Sequence, residues 1–319
     1  MLALLYAILL GIVEGVTEFL PISSTGHLLL VQRWLGIDLG ADPFWRTFAI
    51  FIQIGAIAAV VVYFRNRILH LLRGGDDGRV TPPADQDVGA SDDELGVGAP
   101  SVASAAAAVA TVTAPAPAAA PPAPARAARI RFAGNRPLLM VAIGSLPLVF
   151  AVFAEKLSDS YQENPIAIAA AVGIGGILMI VLERARPDPR TRAIEQMTVG
   201  QALLIGVCQV LAAVFPGTSR SAATILGGLT AGLSREAAAE FSFFLAIPAM
   251  IAACGYKLLR EAGSLSLQHG LLLIIGTLVS FLVAWGVIGW FMYYIHRHTF
   301  VPFAIYRIVL AIVVLALAS

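Results

Sequence analysis

Six long apolar runs constrain the fold of this 319-residue chain more than any other feature of its sequence. Runs of about 18 or more apolar residues are typical of helices that cross a lipid bilayer. Charged residues make up 13% of the chain, whereas a soluble domain carries about 25%. We therefore expect an all-α polytopic membrane protein. Its predicted spans are residues 47–64, 137–154, 165–182, 237–258, 268–292 and 301–318.

Charge and cysteine content exclude several other classes. The net charge of +1 provides no field that would attract nucleic acid. The two cysteines, Cys208 and Cys254, lie in apolar segments and form neither a disulfide framework nor a metal-ligand spacing. The N-terminus is not expected to be a signal peptide, because it lacks a basic start and carries Glu14 and Glu18 in its apolar part.

Two further apolar stretches, at about 1–33 and 199–232, are each interrupted by a motif rich in Pro, Ser, Thr and Gly. The interruptions read FLPISSTGH and FPGTSRS. Neither half of either stretch is long enough to cross a bilayer core of about 30 Å. Non-helical backbone at membrane depth is tolerated only inside protein or beside a water-filled cavity. We therefore predict two re-entrant helical hairpins.

The two broken stretches resemble each other, which indicates an internal repeat. Each copy comprises one hairpin and three spans, and an odd number of spans turns the second copy upside down. Inverted repeats with broken helices place their binding site near the bilayer midplane. Chance similarity between apolar stretches is the alternative, which the aligned polar residues disfavour. The aligned pairs are Gly11 with Gly206, Glu14 with Gln209, Pro21 with Pro216, and Ser24 with Ser219.

The repeat and the composition together predict how the chain is divided. We expect the first hairpin and span at 1–73, an insertion at 74–128, the second and third spans at 129–192, and the second repeat at 193–319. The insertion begins acidic and continues as an Ala-Pro-Val tract, so it has too few large apolar groups to offset the entropy of ordering. We predict a disordered cytoplasmic loop, with a docking tail for a partner as the alternative.

Arginines predict the orientation of the protein in the membrane. They are concentrated in the loop after the first span and in the loop after the third, and few basic residues lie in the alternate loops. Arginine clusters beside spans stay cytoplasmic. The N-terminus is therefore expected to face outward. The clustered residues are Arg65, Arg67, Arg73, Arg79, Arg126, Arg129, Arg131, Arg136, Arg184, Arg186, Arg190 and Arg192.

Ionisable residues within the broken stretches are the first candidates for chemistry. Glu14 and Glu18 are four residues apart and share a helix face. Each charge at the bilayer centre costs about 2.5–3.5 kcal/mol, so these carboxylates and Arg220 must face one another, a metal or a wet cavity. Carboxylate oxygens suit a hard divalent cation such as Mg²⁺ or Ca²⁺. The alternative is that they are structural hydrogen-bonding groups.

The first interruption supplies Ser23, Ser24, Thr25, Gly26 and His27 directly before or within the second half-helix. The free N–H groups of a helix start form an anion site. Ser24 and His27 can lie on one face of that helix, where a hydroxyl beside an imidazole suits nucleophilic attack or proton transfer. The alternative is a simple helix cap with a packed histidine.

The second interruption supplies Ser219, Arg220 and Ser221 at another helix start. The guanidinium group of arginine is a planar fork that matches phosphate oxygens. Two helix starts, an arginine, hydroxyls and carboxylates together indicate metal-assisted phosphoryl transfer. Glu240 and Arg307 also lie in apolar segments, and structural pairing is the role that we expect for each.

At this point the chain resembles a known family. EGVTEFLPISSTGHL and PGTSRSAAT are similar to the two signatures of the undecaprenyl pyrophosphate phosphatase (bacitracin-resistance) family, and EFSFFLAIP and PFAIYR are also similar to it. The resemblance covers nearly the whole chain except 74–128. It implies hydrolysis of undecaprenyl pyrophosphate to the monophosphate, which recycles the lipid carrier for peptidoglycan and supports cell-wall biogenesis, cell shape and resistance to bacitracin.

The resemblance also implies a location and a set of roles. It implies six spans plus two hairpins in the bacterial cytoplasmic (inner) membrane, with the site open to the outer face and dependent on a divalent cation. A homodimer is a further candidate assembly. Whether serine or histidine is the nucleophile stays open. By position, the acidic motif is Glu14 and Glu18, the catalytic group is Ser24, Thr25 and His27, and the phosphate-binding group is Ser219, Arg220 and Ser221.

A rival function is a lipid-phosphate transporter or flippase, because inverted repeats with broken helices are the usual architecture of alternating access. Such a transporter needs an anion pocket but no nucleophile with an adjacent base. The Ser-x-x-His and Glu-x-x-x-Glu patterns therefore favour the enzyme. A third alternative, a structural scaffold, leaves the buried charges unexplained.

Overall fold

The described part of the chain is helical. Within it, every regular element is a helix except one isolated parallel β-bridge, between Thr191 and Leu233. The prediction of an all-α protein is therefore confirmed. The predicted insertion at 74–128 lies outside the described residues, all of which belong to one compact unit. The computed structural model describes residues 2–37, 43–73, 136–150, 164–186, 188–261 and 267–318.

Eleven α-helices are assigned in these ranges, and they are described below by the predicted copy in which they lie. The helices of the first copy are α1 (Leu2–Thr17), α2 (Ser24–Trp34), α3 (Pro43–Tyr63), α4 (Arg65–Leu72), α5 (Arg136–Ser145) and α6 (Pro165–Ala185). A short 3-10 helix (Ile194–Gln196) leads into the second copy. Its helices are α7 (Val199–Val214), α8 (Arg220–Thr230), α9 (Arg235–Glu261), α10 (Leu267–Arg297) and α11 (Val301–Ala318). Each predicted hairpin is thus a pair of short helices broken at the expected motif.

Three helices are long and apolar enough to cross a membrane by themselves. They are α6, the segment Arg235–Tyr256 of α9 and the segment Gly270–Arg297 of α10, and they match three of the predicted spans. The first predicted span, 47–64, corresponds to α3, which is long and apolar enough to cross only together with α4, as a pair bent by 65°. The apolar helices Arg136–Phe150 and Val301–Leu317 are shorter. By length and composition, the described residues thus include three helices able to cross a membrane, or four with the bent pair, as expected of a multi-pass helical membrane protein.

Helix boundaries follow local sequence signals. The side chain of Asn164 accepts backbone N–H groups at the start of α6, as expected of an N-cap residue. Thr198 and Gln201 form a reciprocal capping box at the start of α7. At the other end, Gly36 and Gly232 have positive φ angles just after α2 and α8, which is the usual glycine ending of a helix.

Packing between helices repeats the duplication seen in the sequence. Helix α1 packs against α10, and its counterpart α7 packs against α5. Helix α3 packs against α10, and its counterpart α9 packs against α5. Two further interfaces, α3 with α9 and α6 with α11, join each helix to its own counterpart. Exchanging the two copies reproduces these interfaces, which supports a structural repeat, whereas the large α8–α9 interface has no α2–α3 counterpart of similar size among the described residues.

The register of the repeat differs from the sequence alignment at the hairpin tips. These tips are residues 18–23, between α1 and α2, and residues 215–219, between α7 and α8. Ser23 caps α2 and Ser219 caps α8, and both have positive φ angles, 75° and 69°. The helices that follow are equally long, 11 residues each. The structure therefore pairs Ser23 with Ser219, one residue away from the predicted pairing of Ser24. Ser24 consequently corresponds to Arg220, because each of them directly follows a capping serine with a positive φ angle and begins its helix.

Small residues bring α1 close to α10. A Cβ atom on Gly15 would lie 2.7 Å from the carbonyl oxygen of Ser280, and one on Gly11 would lie 2.6 Å from that of Gly276. Small residues allow this close backbone approach between membrane helices. The position of the first hairpin therefore depends on two glycines of α1.

We expect Gly15→Ala to destabilise the protein by about 1–3 kcal/mol, because the added methyl group overpacks the α1–α10 interface. Thermal unfolding of the purified protein in detergent measures the effect. Gly286→Ala on α10 is the matched control, since its Cβ would meet nothing within 4 Å. Equal melting temperatures for the two variants would contradict the close packing.

Candidate active site

The two broken stretches meet at their tips. Ser221, at the start of α8, donates its hydroxyl to the backbone carbonyl of Leu20 in the first tip, at 2.9 Å. Ser221 is 1% exposed and Leu20 is also buried. A buried hydrogen bond between the tips brings the predicted catalytic residues of both hairpins into one region.

Glu18 joins the two hairpins chemically. Ser24 donates its hydroxyl to Oε2 of Glu18 at 2.5 Å, and Nη2 of Arg220 lies 3.4 Å from Oε1. The carboxylate side chain is only 9% exposed. The structure thus brings together an acid and a serine from the first hairpin and an arginine from the second, as the sequence predicts.

Arg220 is held from several sides. Its Nη1 donates to the backbone carbonyl of Ser242 on α9 at 3.4 Å, and its guanidinium carbon lies 5.8 Å from the ring centroid of Phe19. A guanidinium over an aromatic face is a favourable cation–π arrangement. Its Nε has no acceptor among the described residues. The arginine is therefore fixed in place while some of its five N–H donors stay without an acceptor among the described residues.

Glu14 is the most deeply buried acid of the site. It is 0% exposed, and neither carboxylate oxygen has a hydrogen-bond partner in the described part of the chain. It interacts electrostatically with Glu18 and Arg220. No cluster of three or more His, Cys, Asp or Glu side chains occurs within the described ranges. Two neighbouring carboxylates fit a cation such as Mg²⁺, which takes one or two carboxylates and completes its shell with phosphate and water oxygens.

Helices α2 and α8, the second helices of the two hairpins, both start at the site. Ser23 Oγ accepts the N–H of Gly26 at 3.3 Å, and Ser219 Oγ accepts the N–H of Ala222 at 3.3 Å. The first two N–H groups of α2 and of α8 have no acceptor among the described residues. Such free groups carry the positive end of the helix dipole and favour an anion.

The predicted phosphate-binding residues therefore divide into different structural positions. The hydroxyls of Ser23 and Ser219 cap helices, and Ser221 bonds both the Leu20 carbonyl and, at 3.0 Å, Ser219 Oγ. Thr25 is exposed at the start of α2. The capping hydroxyls are thus already engaged in hydrogen bonds. The free N–H groups at the starts of α2 and α8, together with Thr25 and Arg220, are better placed to meet an anion.

His27 does not contact Ser24 through its ring nitrogens. Its Nδ1 lies 2.7 Å from the carbonyl oxygen of Ser23, and its Nε2 lies 2.6 Å from the hydroxyl of Tyr306 on α11. The sequence leaves both His27 and Glu18 open as proton acceptors for Ser24. The structure pairs Ser24 with Glu18.

Arg307 donates hydrogen bonds to the backbone of both tips. It is 0% exposed and donates to the carbonyl oxygens of Pro21 in the first tip and of Gly217 and Thr218 in the second, at 3.0–3.4 Å. It also donates to two carbonyls of α6. No acidic side chain pairs with it within the described residues. Arg307 is thus held by backbone carbonyls and not by the ionic pairing that the sequence suggested.

Glu240 has the structural role expected of it. Arg67 Nε donates to Glu240 at 3.1 Å, and the same guanidinium pairs with Glu195. These residues join α4, the 3-10 helix and α9. The ion pairs therefore tie the two copies of the repeat together through residues that do not contact the site described above.

Residues 7–313 match the family model described as Bacitracin resistance protein BacA. The chain belongs to the BacA family. Its relatives include the undecaprenyl-diphosphatase of Koribacter versatilis, 39% identical over 99% of this chain and 98% of that protein. That of Aromatoleum aromaticum is 39% identical over 97% of this chain and 93% of that protein. Undecaprenyl-diphosphatase 1 of Oenococcus oeni is 36% identical over 99% and 97%. The family resemblance read from the motifs is confirmed.

Sequence reasoning missed Tyr306 in this BacA-family chain. It lies 279 residues from His27 in the sequence, and no spacing rule connects positions so far apart. The signal that could have pointed to it is the family-like motif PFAIYR, which contains both Tyr306 and Arg307. A tyrosine in an apolar helix otherwise looks like an ordinary packing residue.

We expect Arg307→Met to destabilise this BacA-family protein by about 3 kcal/mol, because it leaves buried carbonyls without donors. Unfolding in detergent, followed by heat or denaturant, measures the loss. Arg297→Met is the matched control, since Arg297 lies exposed at the end of α10. An Arg307→Met variant as stable as the control would show that the tips do not depend on this side chain.

Proposed function

We propose that this protein is an integral membrane phosphatase that hydrolyses undecaprenyl pyrophosphate to undecaprenyl phosphate and inorganic phosphate. The observation that carries the proposal is the Ser24 hydroxyl held on the Glu18 carboxylate, with Arg220 on the other oxygen. The relatives named undecaprenyl-diphosphatase support this substrate, and the family description supports a link to bacitracin resistance.

Ser24 is the nucleophile in this proposal. Its Oγ attacks the terminal phosphorus, its proton passes to Glu18, and the bond from that phosphorus to the bridging oxygen breaks. Undecaprenyl phosphate leaves and a phosphoserine remains. The 2.5 Å hydrogen bond supports Glu18 as the base, since an activated nucleophile needs its base within hydrogen-bond reach.

Water completes the reaction. It attacks the phosphoserine, and Glu18 returns its proton to Ser24 Oγ as the Oγ–P bond breaks. His27 takes the proton of the attacking water on Nε2 and later returns it to solvent or phosphate. His27 lies one helical turn after Ser24 and is partly exposed, which supports a role near the mouth of the site.

Arg220 and the helix starts stabilise the charge of the transferred phosphoryl group. Phosphoryl transfer depends mainly on positioning and on electrostatic stabilisation of the phosphoryl oxygens. The fixed guanidinium and the free N–H groups of α2 and α8 need no rearrangement to do this, which is the condition for effective stabilisation. We assign Thr25 and Gly26 of α2, and Ser219 and Ser221 beside α8, to the surroundings of this phosphate.

Glu14 and Glu18 would hold a divalent cation such as Mg²⁺ or Ca²⁺. When bound, the cation neutralises phosphate charge and polarises the phosphorus–oxygen bonds. Glu14 supplies two oxygens that have no other partner among the described residues. Glu18 supplies the neighbouring carboxylate, already shared between Ser24 and Arg220.

We expect Ser24→Ala, Glu18→Gln and Arg220→Ala each to lower kcat for phosphate release by about 10²–10⁴, the range typical of a positioned acid or base. The assay uses purified protein in detergent with undecaprenyl pyrophosphate and a divalent cation. Matched controls outside the site are Ser145→Ala, Glu236→Gln and Arg297→Ala.

Full phosphate release by Glu18→Gln or Arg220→Ala would contradict these roles. The same assay separates the enzyme from a transporter, because detergent removes any gradient. A wild-type protein that binds the lipid but releases no phosphate would favour the transporter, whose architecture the repeated packing also resembles.

We expect chelation of divalent cations to abolish phosphate release and Mg²⁺ or Ca²⁺ to restore it. Glu14→Gln is expected to raise the cation concentration needed for half-maximal activity by roughly 10-fold or more, because it removes a charged oxygen ligand. A titration of activity against free cation measures this. Unchanged activity in a chelator would overturn the metal assignment.

We further propose six spans and two re-entrant hairpins in an inverted repeat, in the bacterial cytoplasmic membrane, with the N-terminus and the site facing outward. The exchangeable packing of the two copies supports the repeat. The arginines near the ends of spans support the orientation, because such clusters stay cytoplasmic. In this arrangement Trp34 lies near the outer face and Leu72 near the inner face.

Labelling with a membrane-impermeant maleimide tests this orientation in intact cells. With Cys208 and Cys254 replaced by Ala, we expect Trp34→Cys to react and Leu72→Cys to react only after the membrane is opened. Both positions are exposed on the protein, 81% and 57%. The reverse pattern would invert the proposed topology.

A further inference from the structure

Helix α11 brings a tyrosine to the only histidine of the first hairpin. The hydroxyl of Tyr306 lies 2.6 Å from Nε2 of His27. The two rings are nearly parallel, with an interplanar angle of 1° and centroids 5.5 Å apart. The other ring nitrogen, Nδ1, lies 2.7 Å from the carbonyl oxygen of Ser23. Both nitrogens of the imidazole are therefore engaged, and the two rings lie edge to edge in nearly the same plane.

These contacts define the hydrogen positions of a neutral His27. A carbonyl oxygen can only accept, so Nδ1 carries the hydrogen and donates to Ser23. In the neutral ring Nε2 is then an acceptor, and the Tyr306 hydroxyl donates to it. The lone pair of Nε2, which the second step of the proposed reaction uses, is thus held by Tyr306.

We propose that Tyr306 is a positioning residue that acts through His27. Its hydrogen bond fixes the ring and the tautomer so that the basic lone pair lies on Nε2, and a water molecule replaces the Tyr306 hydroxyl when phosphoserine is hydrolysed. This inference rests on the proposed function. Nothing in the motif spacing assigns this role to Tyr306.

Arg307, the next residue in the chain, holds the part of α11 that carries Tyr306 in a fixed place. Arg307 bonds to carbonyls of both tips and of α6, so α11 is anchored at this point to the same backbone that carries His27. Tyr306 itself is 45% exposed, and its hydroxyl is the part of the side chain that contacts His27.

The variant Tyr306→Phe keeps the aromatic ring and removes only the hydroxyl. We expect kcat for phosphate release to fall on the order of tenfold, a part of the contribution of a positioned base, with KM within about twofold because substrate contacts are unchanged. Tyr293→Phe, at an exposed tyrosine of α10, is the matched control and is expected to behave as wild type.

A double-mutant cycle tests whether Tyr306 acts through His27. We expect His27→Ala with Tyr306→Phe to be no slower than His27→Ala alone, since the partner of the hydroxyl is already gone. A further tenfold loss in the double variant would overturn the proposal. So would a Tyr306→Phe variant that raises KM and leaves kcat unchanged.

A spectroscopic measurement separates this inference from the proposed function. The chain has five histidines, and ¹⁵N-labelled histidine in the full-length protein identifies His27 as the signal missing from His27→Ala. Loss of the hydrogen bond in Tyr306→Phe is expected to move the Nε2 resonance towards that of a free acceptor nitrogen, while Tyr293→Phe leaves it unchanged. No movement would overturn the Tyr306–His27 contact, whatever the phosphatase assay gives.

Discussion

The carbonyl groups of two broken helices must find donors where no water is available, and Arg307 supplies them. A polar backbone group without a partner in hydrocarbon costs several kcal/mol, so broken helices occur only where protein or a wet cavity satisfies them. One buried guanidinium donates to both tips and to α6. The meeting of the two hairpins depends on this interaction, and the geometry of the site depends on that meeting.

The charges of the site form a second layer built on this scaffold. Glu18 balances Arg220 directly, while Glu14 adds a buried carboxyl group whose oxygens have no hydrogen-bond partner in the described chain. The helix starts add partial positive charge at the same place. The resulting site is fixed in position and unevenly compensated, a state that favours binding of a phosphate together with a cation. A purely structural network would be expected to satisfy Glu14 internally.

Much of this arrangement follows from the sequence, because lipid leaves few places for a charge. The two glutamates of the first hairpin and Arg220 had to face one another, a metal or a wet cavity, and the proline-containing breaks had to lie inside protein or beside such a cavity. The partner of Ser24 could not be read in the same way, since His27 and Glu18 both lie within reach and side-chain rotation decides between them. Tyr306 comes from a distant helix whose contacts only the assembled fold defines. The register of the two tips was predicted one residue away because sequence similarity, unlike backbone conformation, did not mark the capping serines.

That register has a consequence for how such a site could arise. Ser24 and Arg220 occupy the same place in the two copies, each being the first residue of its helix. Two identical subunits related by a twofold axis would be forced to carry the same amino acid at both places, giving two hydroxyls or two guanidinium groups. Joining the copies into one gene product lifts that restriction. A nucleophilic serine and a cationic arginine can then occupy equivalent positions. The asymmetry that the chemistry needs is therefore a direct benefit of covalent fusion.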